Sequence, residues 1–151
     1  MYKRIVIADT SCLIILQKIN RLMILKDIFQ TISITREVAE EYGETLPDWI
    51  KIEKPENDRT KKILEMELDK GEASAIALGL EYNDVLLLID EKKGRRVARN
   101  LGLTIMGTLG ILVKAKEQGI ITSLKAEIRK LQDSKFRIAD ELIEEILKKY
   151  D

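Results

Sequence analysis

The chain has 151 residues, of which 45% are hydrophobic and 34% are charged, and these values suit one domain with a sizeable core. It contains no histidine and a single cysteine, which excludes catalysis by imidazole, zinc sites built on histidine or on thiolate clusters, and an intramolecular disulfide. Lysine and arginine together number 26, as do aspartate and glutamate, so the formal net charge is zero and any nucleic-acid contact needs a local basic patch.

Short apolar runs alternate with helical patterns along the chain. The predicted strands cover residues 4–8, 31–34, 49–52, 85–89 and 103–106. The predicted helices cover residues 12–16, 22–29, 36–42, 60–68, 72–80, 95–101, 108–118, 124–132 and 138–150. Strands that are apolar throughout and alternate with helices favour a small parallel sheet covered on both faces. The pattern therefore predicts a single three-layer α/β/α domain over residues 1–151.

Helix boundaries are predicted from capping residues. Thr35 and Thr108 stand where helices begin, and Gly43, Gly102 and Gly119 stand where left-handed C-terminal caps belong. No apolar run reaches the roughly 20 residues that cross a bilayer, and the apolar stretch at the N-terminus is too short for a signal peptide. Since a lone cysteine is typical of a reducing compartment, we expect a cytoplasmic protein without a membrane segment.

Two aspartates directly follow apolar strands. Asp9 comes after the predicted strand 4–8, and Asp90 comes after the run 86–89. Because the carboxyl ends of parallel strands lie at one edge of the sheet, where open α/β folds bind ligands, we expect the two side chains to lie close together. Such a pair needs a proton or a cation between the two charges, and carboxylate oxygens suit Mg²⁺ or Mn²⁺. The alternative is that each aspartate caps the helix that follows it.

Other acidic residues are harder to assign. Glu72 lies in the first turn of a predicted helix, where an acidic residue ordinarily compensates the helix dipole. Glu37, Glu40 and Glu41 share one helix, and helical spacing places Glu37 and Glu41 on the same side. Periodicity alone does not choose among these three.

A basic stripe follows Asp90. Its members, spaced at i, i+3, i+4 and i+7, are Lys92, Arg95, Arg96 and Arg99. This spacing is typical of a solvated helix face, but its position beside the acidic edge makes it a candidate phosphate contact. Ser11 either hydrogen-bonds a metal-bound water or caps the helix, and capping is the simpler interpretation. Cys12 is predicted to lie in the core.

The sequence resembles a known family. Residues 7–11, Ile-Ala-Asp-Thr-Ser, resemble the opening of PIN domains, in which an aspartate is followed by a small hydroxyl residue. Residues 68–78, 86–91, 94–98 and 102–119 resemble a PIN-like subgroup of unknown function that is predicted to bind nucleic acid. The resemblance covers nearly the whole chain, and its most specific part runs from Gly71 to Gly119.

The resemblance implies a metal-dependent endoribonuclease that cuts RNA phosphodiesters with a metal-activated water. Carried over position by position, it implies four catalytic acids, Asp9, Glu41, Glu72 and Asp90. Glu40 is the alternative to Glu41, and Glu91 adjoins the set. The implied ligands of Mg²⁺ or Mn²⁺ are Asp9, Glu72 and Asp90, and the implied nucleic-acid contacts are Ser11, Lys92, Arg95, Arg96 and Arg99.

Partners and competing functions follow from the same comparison. The resemblance implies single-stranded or exposed RNA as substrate, the toxin half of a toxin–antitoxin pair with an antitoxin protein as partner, and a homodimer. A second hypothesis is a catalytically weak PIN-like module that binds RNA or a protein. A third is an aspartyl-phosphate phosphatase with Asp9 as nucleophile, but Ser11 stands where that class usually carries a second aspartate.

Overall fold

The structure is a computed structural model that describes residues 4–151. A five-stranded, entirely parallel sheet in the order β3-β2-β1-β4-β5 forms its centre. The strands are β1 (Ile5–Ala8), β2 (Ile32–Ile34), β3 (Ile50–Ile52), β4 (Val85–Leu88) and β5 (Thr104–Met106). The helices are α1 (Thr10–Lys18), α2 (Met23–Phe29), α3 (Arg36–Tyr42), α4 (Asp58–Leu64), α5 (Lys70–Gly79), α6 (Lys92–Asn100), α7 (Thr108–Glu117), α8 (Leu124–Asp133) and α9 (Asp140–Tyr150).

The sheet is covered on both faces, which confirms the predicted three-layer α/β/α fold. Because successive strand side chains point to opposite faces, Val6 and Ala8 of β1 pack into one buried cluster and Ile7 packs into another. The first cluster includes residues of α1, α2, α3, α7 and α8, and the second includes residues of α5 and α6. The strands at the centre are apolar throughout because neither face reaches water.

The register of the two central strands positions the acidic edge. Ile5 of β1 pairs with Val85 of β4, and Ala8 pairs with Leu88, so the two strands run level over their whole length. The backbone N–H of Asp9 continues this pairing by donating to the carbonyl of Leu88 at 2.9 Å. The residues that follow β1 and β4 therefore leave the sheet at the same edge.

Several predicted helix boundaries are confirmed. Thr35 caps α3, since its hydroxyl oxygen accepts from the Val38 N–H at 3.2 Å. Gly43, Gly102 and Gly119 all have positive φ angles, of 71°, 86° and 75°, which a residue with a Cβ adopts only under strain. None of the helices in residues 4–151 is long and apolar enough to cross a membrane.

Two helices differ from the prediction at their ends. The helix predicted over residues 60–68 is α4 and ends at Leu64, so the apolar Leu68 is buried from a turn rather than from the helix. Helix α6 begins at Lys92 rather than at Arg95, because Glu91 caps it and accepts from the Gly94 N–H at 2.9 Å. The capping residue Glu91 set the start of α6, and at the end of α4 the apolar periodicity ran past the last helical residue.

Candidate active site at the carboxyl edge of the sheet

The structure gathers the predicted acids at one edge of the sheet. Asp9 follows β1 and Asp90 follows β4, while Glu41 comes from the last turn of α3 and Glu72 from the first turn of α5. The charges of Glu41 and Asp90 act on Asp9, and the charge of Asp9 acts on Glu72. Four carboxyl groups from four separate segments thus share one electrostatic environment.

Asp9 is the most buried member of this group. Its residue is 3% exposed, and its Oδ1 atom is buried without a hydrogen-bond partner in the described residues. Its pKa is raised from the ordinary 3.8 to about 7, chiefly by burial and also by the charges of Asp69, Glu41 and Asp90, against the opposing effect of the Thr10 amide. Its side chain makes no capping hydrogen bond to α1, so the prediction that it simply caps this helix is wrong.

Glu41 is held beside Asp9 by two features of neighbouring helices. The Thr10 hydroxyl, at the start of α1, donates to Oε1 of Glu41 at 2.8 Å. Gly71, near the start of α5, leaves the room this carboxylate occupies, because a Cβ there would lie 1.8 Å from the same Oε1 atom. Of the two alternatives, Glu41 therefore reaches the acidic group, whereas Glu40 lines an open groove of about 690 Å³ beside α3 and α4.

Glu72 has both a helix-start role and a place in the acidic group. Its backbone N–H donates to Asp69 Oδ1 at 2.8 Å, and its own Oε1 accepts from the Asp69 N–H at 3.4 Å, which is a capping box. The side chain is nevertheless buried. Burial raises its pKa to about 8, and the charges of Asp69, Asp9 and Glu91 act in the same direction.

Asp90 does not cap α6, the helix that follows it. Its Oδ1 accepts from the Thr108 N–H at 2.7 Å and its Oδ2 accepts from the Thr108 hydroxyl at 2.5 Å, so it binds the first residue of α7. The helix-capping interpretation of Asp90 is therefore wrong for α6. The prediction that Thr108 caps its own helix is also wrong, since the N-cap residue of α7 is Gly107.

Two further acids, which the sequence did not single out as central, border the site. Asp69 raises the pKa of both Asp9 and Glu72, and Glu91 lies within hydrogen-bonding reach of Glu72. Hydrogen bonds from backbone amides of the α6 first turn, chiefly that of Gly94, lower the pKa of Glu91. The spacing of Asp69 and Glu72 is that of a capping box, and this signal in the sequence could have located Asp69.

The predicted basic stripe lies on α6, next to Asp90. Arg95 is half-buried, and Lys92, Arg96 and Arg99 are exposed or nearly so. Gly107 is flanked by both Asp90 and Arg95, because a Cβ there would lie 2.9 Å from Asp90 Oδ1 and 3.3 Å from Arg95 Nη1. The guanidinium of Arg95 therefore lies near the carboxylate of Asp90.

Ser11 lies in the first turn of α1, directly behind Asp9. Its hydroxyl oxygen is buried and has no hydrogen-bond partner within residues 4–151. The prediction that Ser11 caps the helix is therefore wrong. Buried hydroxyl groups are nearly always partnered, so this oxygen and Oδ1 of Asp9 are two polar atoms that the described residues leave unsatisfied.

The donor set fits an oxygen-preferring divalent cation, although the ligands are not preassembled. Within the part of the chain that the structure describes, no three carboxylate or thiol side chains converge closely enough to form a ready-made metal site. Glu41, Glu72 and Asp90 each direct an oxygen to a hydrogen-bond donor of the chain. Nevertheless, Mg²⁺ or Mn²⁺ would neutralise the crowded charges that raise the pKa values of Asp9 and Glu72, and would bind the Asp9 oxygen that has no partner in residues 4–151.

Fold and site together define a parallel α/β domain with a buried acidic centre at the carboxyl end of its sheet. The family model described as DUF3368, a PIN domain, matches residues 5–151. The chain therefore belongs to this PIN-domain family, as its motifs predicted, and PIN domains are generally nucleases that use divalent metals. Comparisons with curated proteins and with solved structures found no match.

Proposed function

We propose that this protein is a divalent-metal-dependent endoribonuclease that cuts RNA phosphodiester bonds. The observation that carries the proposal is the state of Asp9, which is buried, is surrounded by like charges and has no hydrogen-bond partner for Oδ1 within residues 4–151. A purely structural carboxylate would have hydrogen-bond donors or a cationic partner. Asp9 has acidic neighbours instead, and a cation relieves that arrangement.

Three of the acids are assigned to binding the cation, and the fourth is assigned to activating the attacking water. Asp9, Glu72 and Asp90 would hold Mg²⁺ or Mn²⁺, which lowers the pKa of a water and neutralises charge on the attacked phosphate. Glu41 directs one oxygen to the Thr10 hydroxyl, which leaves its other oxygen to orient the attacking water and take its proton. No histidine is needed for this chemistry, and the chain contains none.

The RNA backbone would lie along α6. Arg95 stands beside Asp90, where a planar guanidinium can pair with the oxygens of the reacting phosphate. Lys92, Arg96 and Arg99 would contact neighbouring phosphates and so supply local positive charge in a chain of zero net charge. The unpartnered hydroxyl of Ser11 would donate to a ligand or to water in the site.

Cleavage of a mixed single-stranded RNA pool tests the proposal. We expect cleavage with Mn²⁺ or Mg²⁺, none with EDTA, and none by Asp9→Asn. The pair Glu41→Gln and Glu40→Gln is a matched control, because the two residues are adjacent on one helix and only Glu41 is bonded to Thr10. Loss of a general base should slow cleavage by about 10²-fold or more in Glu41→Gln, while Glu40→Gln should cleave like wild type.

A binding module is the second candidate function. It is favoured by the hydrogen bonds that engage Glu72 and Asp90, since a protein that only binds RNA or a protein partner needs no freely presented ligands. Calorimetry with Mn²⁺ separates the two. Absence of Mn²⁺ binding by folded protein, together with absence of cleavage, would overturn the nuclease proposal and favour the binding module.

Several finer properties stay predictions. The family resemblance implies the role of toxin in a toxin–antitoxin pair, an antitoxin protein as partner and a homodimer, and the lone cysteine indicates a cytoplasmic location. A masking antitoxin would have to cover the acidic edge to block the proposed reaction. Co-purification with a neighbouring gene product and light scattering of the purified protein test the partner and the dimer.

A further inference from the structure

Asp90 is backed by a short buried chain of polar groups. Both oxygens of its carboxylate accept hydrogen bonds from one residue, Thr108, at 2.7 Å from the backbone N–H and 2.5 Å from the hydroxyl. Behind Thr108, the Cys12 sulfur lies 3.3 Å from the same hydroxyl oxygen. Thr108 and Cys12 are both 0% exposed. The polar chain therefore runs from the acidic edge into the core between α1 and α7.

The direction of these hydrogen bonds follows from which of the side chains carry a proton. The hydroxyl of Thr108 has one proton, and an ionised carboxylate can only accept, so that proton goes to Asp90. The remaining contact, between Cys12 and Thr108, then has the thiol as donor and the Thr108 oxygen as acceptor. Cys12 is a free cysteine buried in the core, so its side chain carries a thiol proton to donate.

The Thr108 hydroxyl has no local role in its own helix. Thr108 does not cap its own helix, whose N-cap is Gly107. A threonine at 0% exposure on an apolar helix face would ordinarily cost stability unless both its hydrogen-bonding capacities were used. Here both are used, and both serve the orientation of a single carboxylate.

We propose that Thr108 is a positioning residue for Asp90, and that the Cys12 thiol orients the Thr108 hydroxyl for this purpose. Two donors on one residue hold the carboxylate plane in one rotation, and each oxygen keeps a second lone pair for a further ligand. Carboxylates that ligate metals are commonly held by such hydrogen bonds, and removing the supporting group costs about 10–100-fold in metal affinity. The inference rests on the proposed metal-dependent function of the same site.

Two variants separate the hydroxyl from the shape of the side chain. Thr108→Val keeps the branched shape and the backbone N–H but removes the hydroxyl, and Thr108→Ser keeps the hydroxyl. Thr104→Val makes the same chemical change at an exposed position of β5 and serves as the matched control. Cys12→Ala removes the thiol donor and leaves Thr108 intact, so it tests the second part of the proposal without altering the residue bonded to Asp90.

The first readout needs no metal. The carbon-13 signal of the Asp90 carboxyl group, followed in metal-free protein, reports the loss of its hydroxyl donor. We expect the signal to move in Thr108→Val, to move less in Cys12→Ala, and to stay near its wild-type position in Thr108→Ser and Thr104→Val. A merely structural threonine would leave the signal unchanged in all four variants, and that result would overturn the proposal.

The second readout is Mn²⁺ affinity by calorimetry. We expect about 10–100-fold weaker binding in Thr108→Val and about wild-type binding in Thr108→Ser. Wild-type affinity in a folded Thr108→Val variant would overturn the positioning role while leaving the proposed function intact. If the wild-type protein itself binds no Mn²⁺, the metal-dependent function fails, and the carboxyl signal alone decides whether Thr108 orients Asp90. If Thr108→Val does not fold, Thr108→Ala removes the same hydroxyl and takes its place in the comparison with Thr108→Ser.

Discussion

Replacing Asp9 by asparagine should stabilise the metal-free protein above neutral pH while abolishing its activity. Asp9 has a pKa of about 7 in the folded protein against an ordinary value of 3.8. A carboxyl group whose pKa is raised by folding keeps a proton that the unfolded chain releases, so stability falls as pH rises from about 4 and the loss is complete above about 7. Asparagine has no such ionisation and escapes this loss.

The size of the effect follows from the shift. A shift of about three units at 1.36 kcal/mol each amounts to roughly 4 kcal/mol at alkaline pH, of which about 2–3 kcal/mol develops between pH 5 and pH 8. Glu72, whose pKa is about 8, titrates in the same window, so the contribution of Asp9 is the difference between the wild type and Asp9→Asn. A divalent cation bound at the site should reverse the loss, since it favours the ionised form.

The measurement is denaturant unfolding at pH 5 and pH 8, in EDTA and then in Mg²⁺. We expect the free energy of unfolding of the wild-type protein to fall with pH by about 2–3 kcal/mol more than that of Asp9→Asn. Asp27→Asn, a change at an exposed position of α2, is the matched control and should behave as wild type. Equal pH dependence in wild type and Asp9→Asn would refute the reasoning, because it would mean that burial does not hold a proton on Asp9.

Two other predictions concern the space beside Gly71 and the ion pair between Arg21 and Glu127. Gly71→Ala should slow cleavage by about 10²-fold with little loss of stability, because the added Cβ would lie 1.8 Å from Oε1 of Glu41 and would push the flexible end of that side chain away. Gly79→Ala on the same helix is the control. Unchanged activity in Gly71→Ala would contradict the proposed role of Glu41. Arg21→Met should lower the free energy of unfolding by about 2 kcal/mol, because it removes the hydrogen bonds of 3.0 and 2.9 Å to Glu127, which is 3% exposed and keeps Lys130 at 3.4 Å. Thermal and denaturant unfolding measure this loss, and a change below about 1 kcal/mol would show that the pair behaves as a surface salt bridge.

The sequence by itself determined the layer architecture and the position of Asp9 and Asp90 at one edge of the sheet. Strand segments such as 85–89 are apolar at every position, which is compatible with burial on both faces and therefore with a parallel sheet. Once the sheet is parallel, residues that follow neighbouring strands must lie at one edge. Local caps such as Thr35 and Gly43 were also predictable, because their hydrogen bonds and φ angles involve residues only a few positions away.

The C-terminal end of α4 and the start of α6 were less predictable from the sequence. Apolar periodicity continues past Leu64 to Leu68, but the periodicity describes burial and not hydrogen bonding. The chain leaves the helix while still burying the next apolar side chain. For α6, a single capping glutamate moved the start by one turn into a polar stretch that carries no apolar signal.

Only the tertiary structure decided which side chains complete the site. Glu40 and Glu41 are adjacent and differ by about 100° around their helix, and the packing of α3 against Thr10 and Gly71 selects Glu41. Likewise, the hydroxyl of Thr108 faces Asp90 rather than its own helix. These contacts join residues far apart in sequence, and no local propensity contains them, because they depend on how whole elements pack.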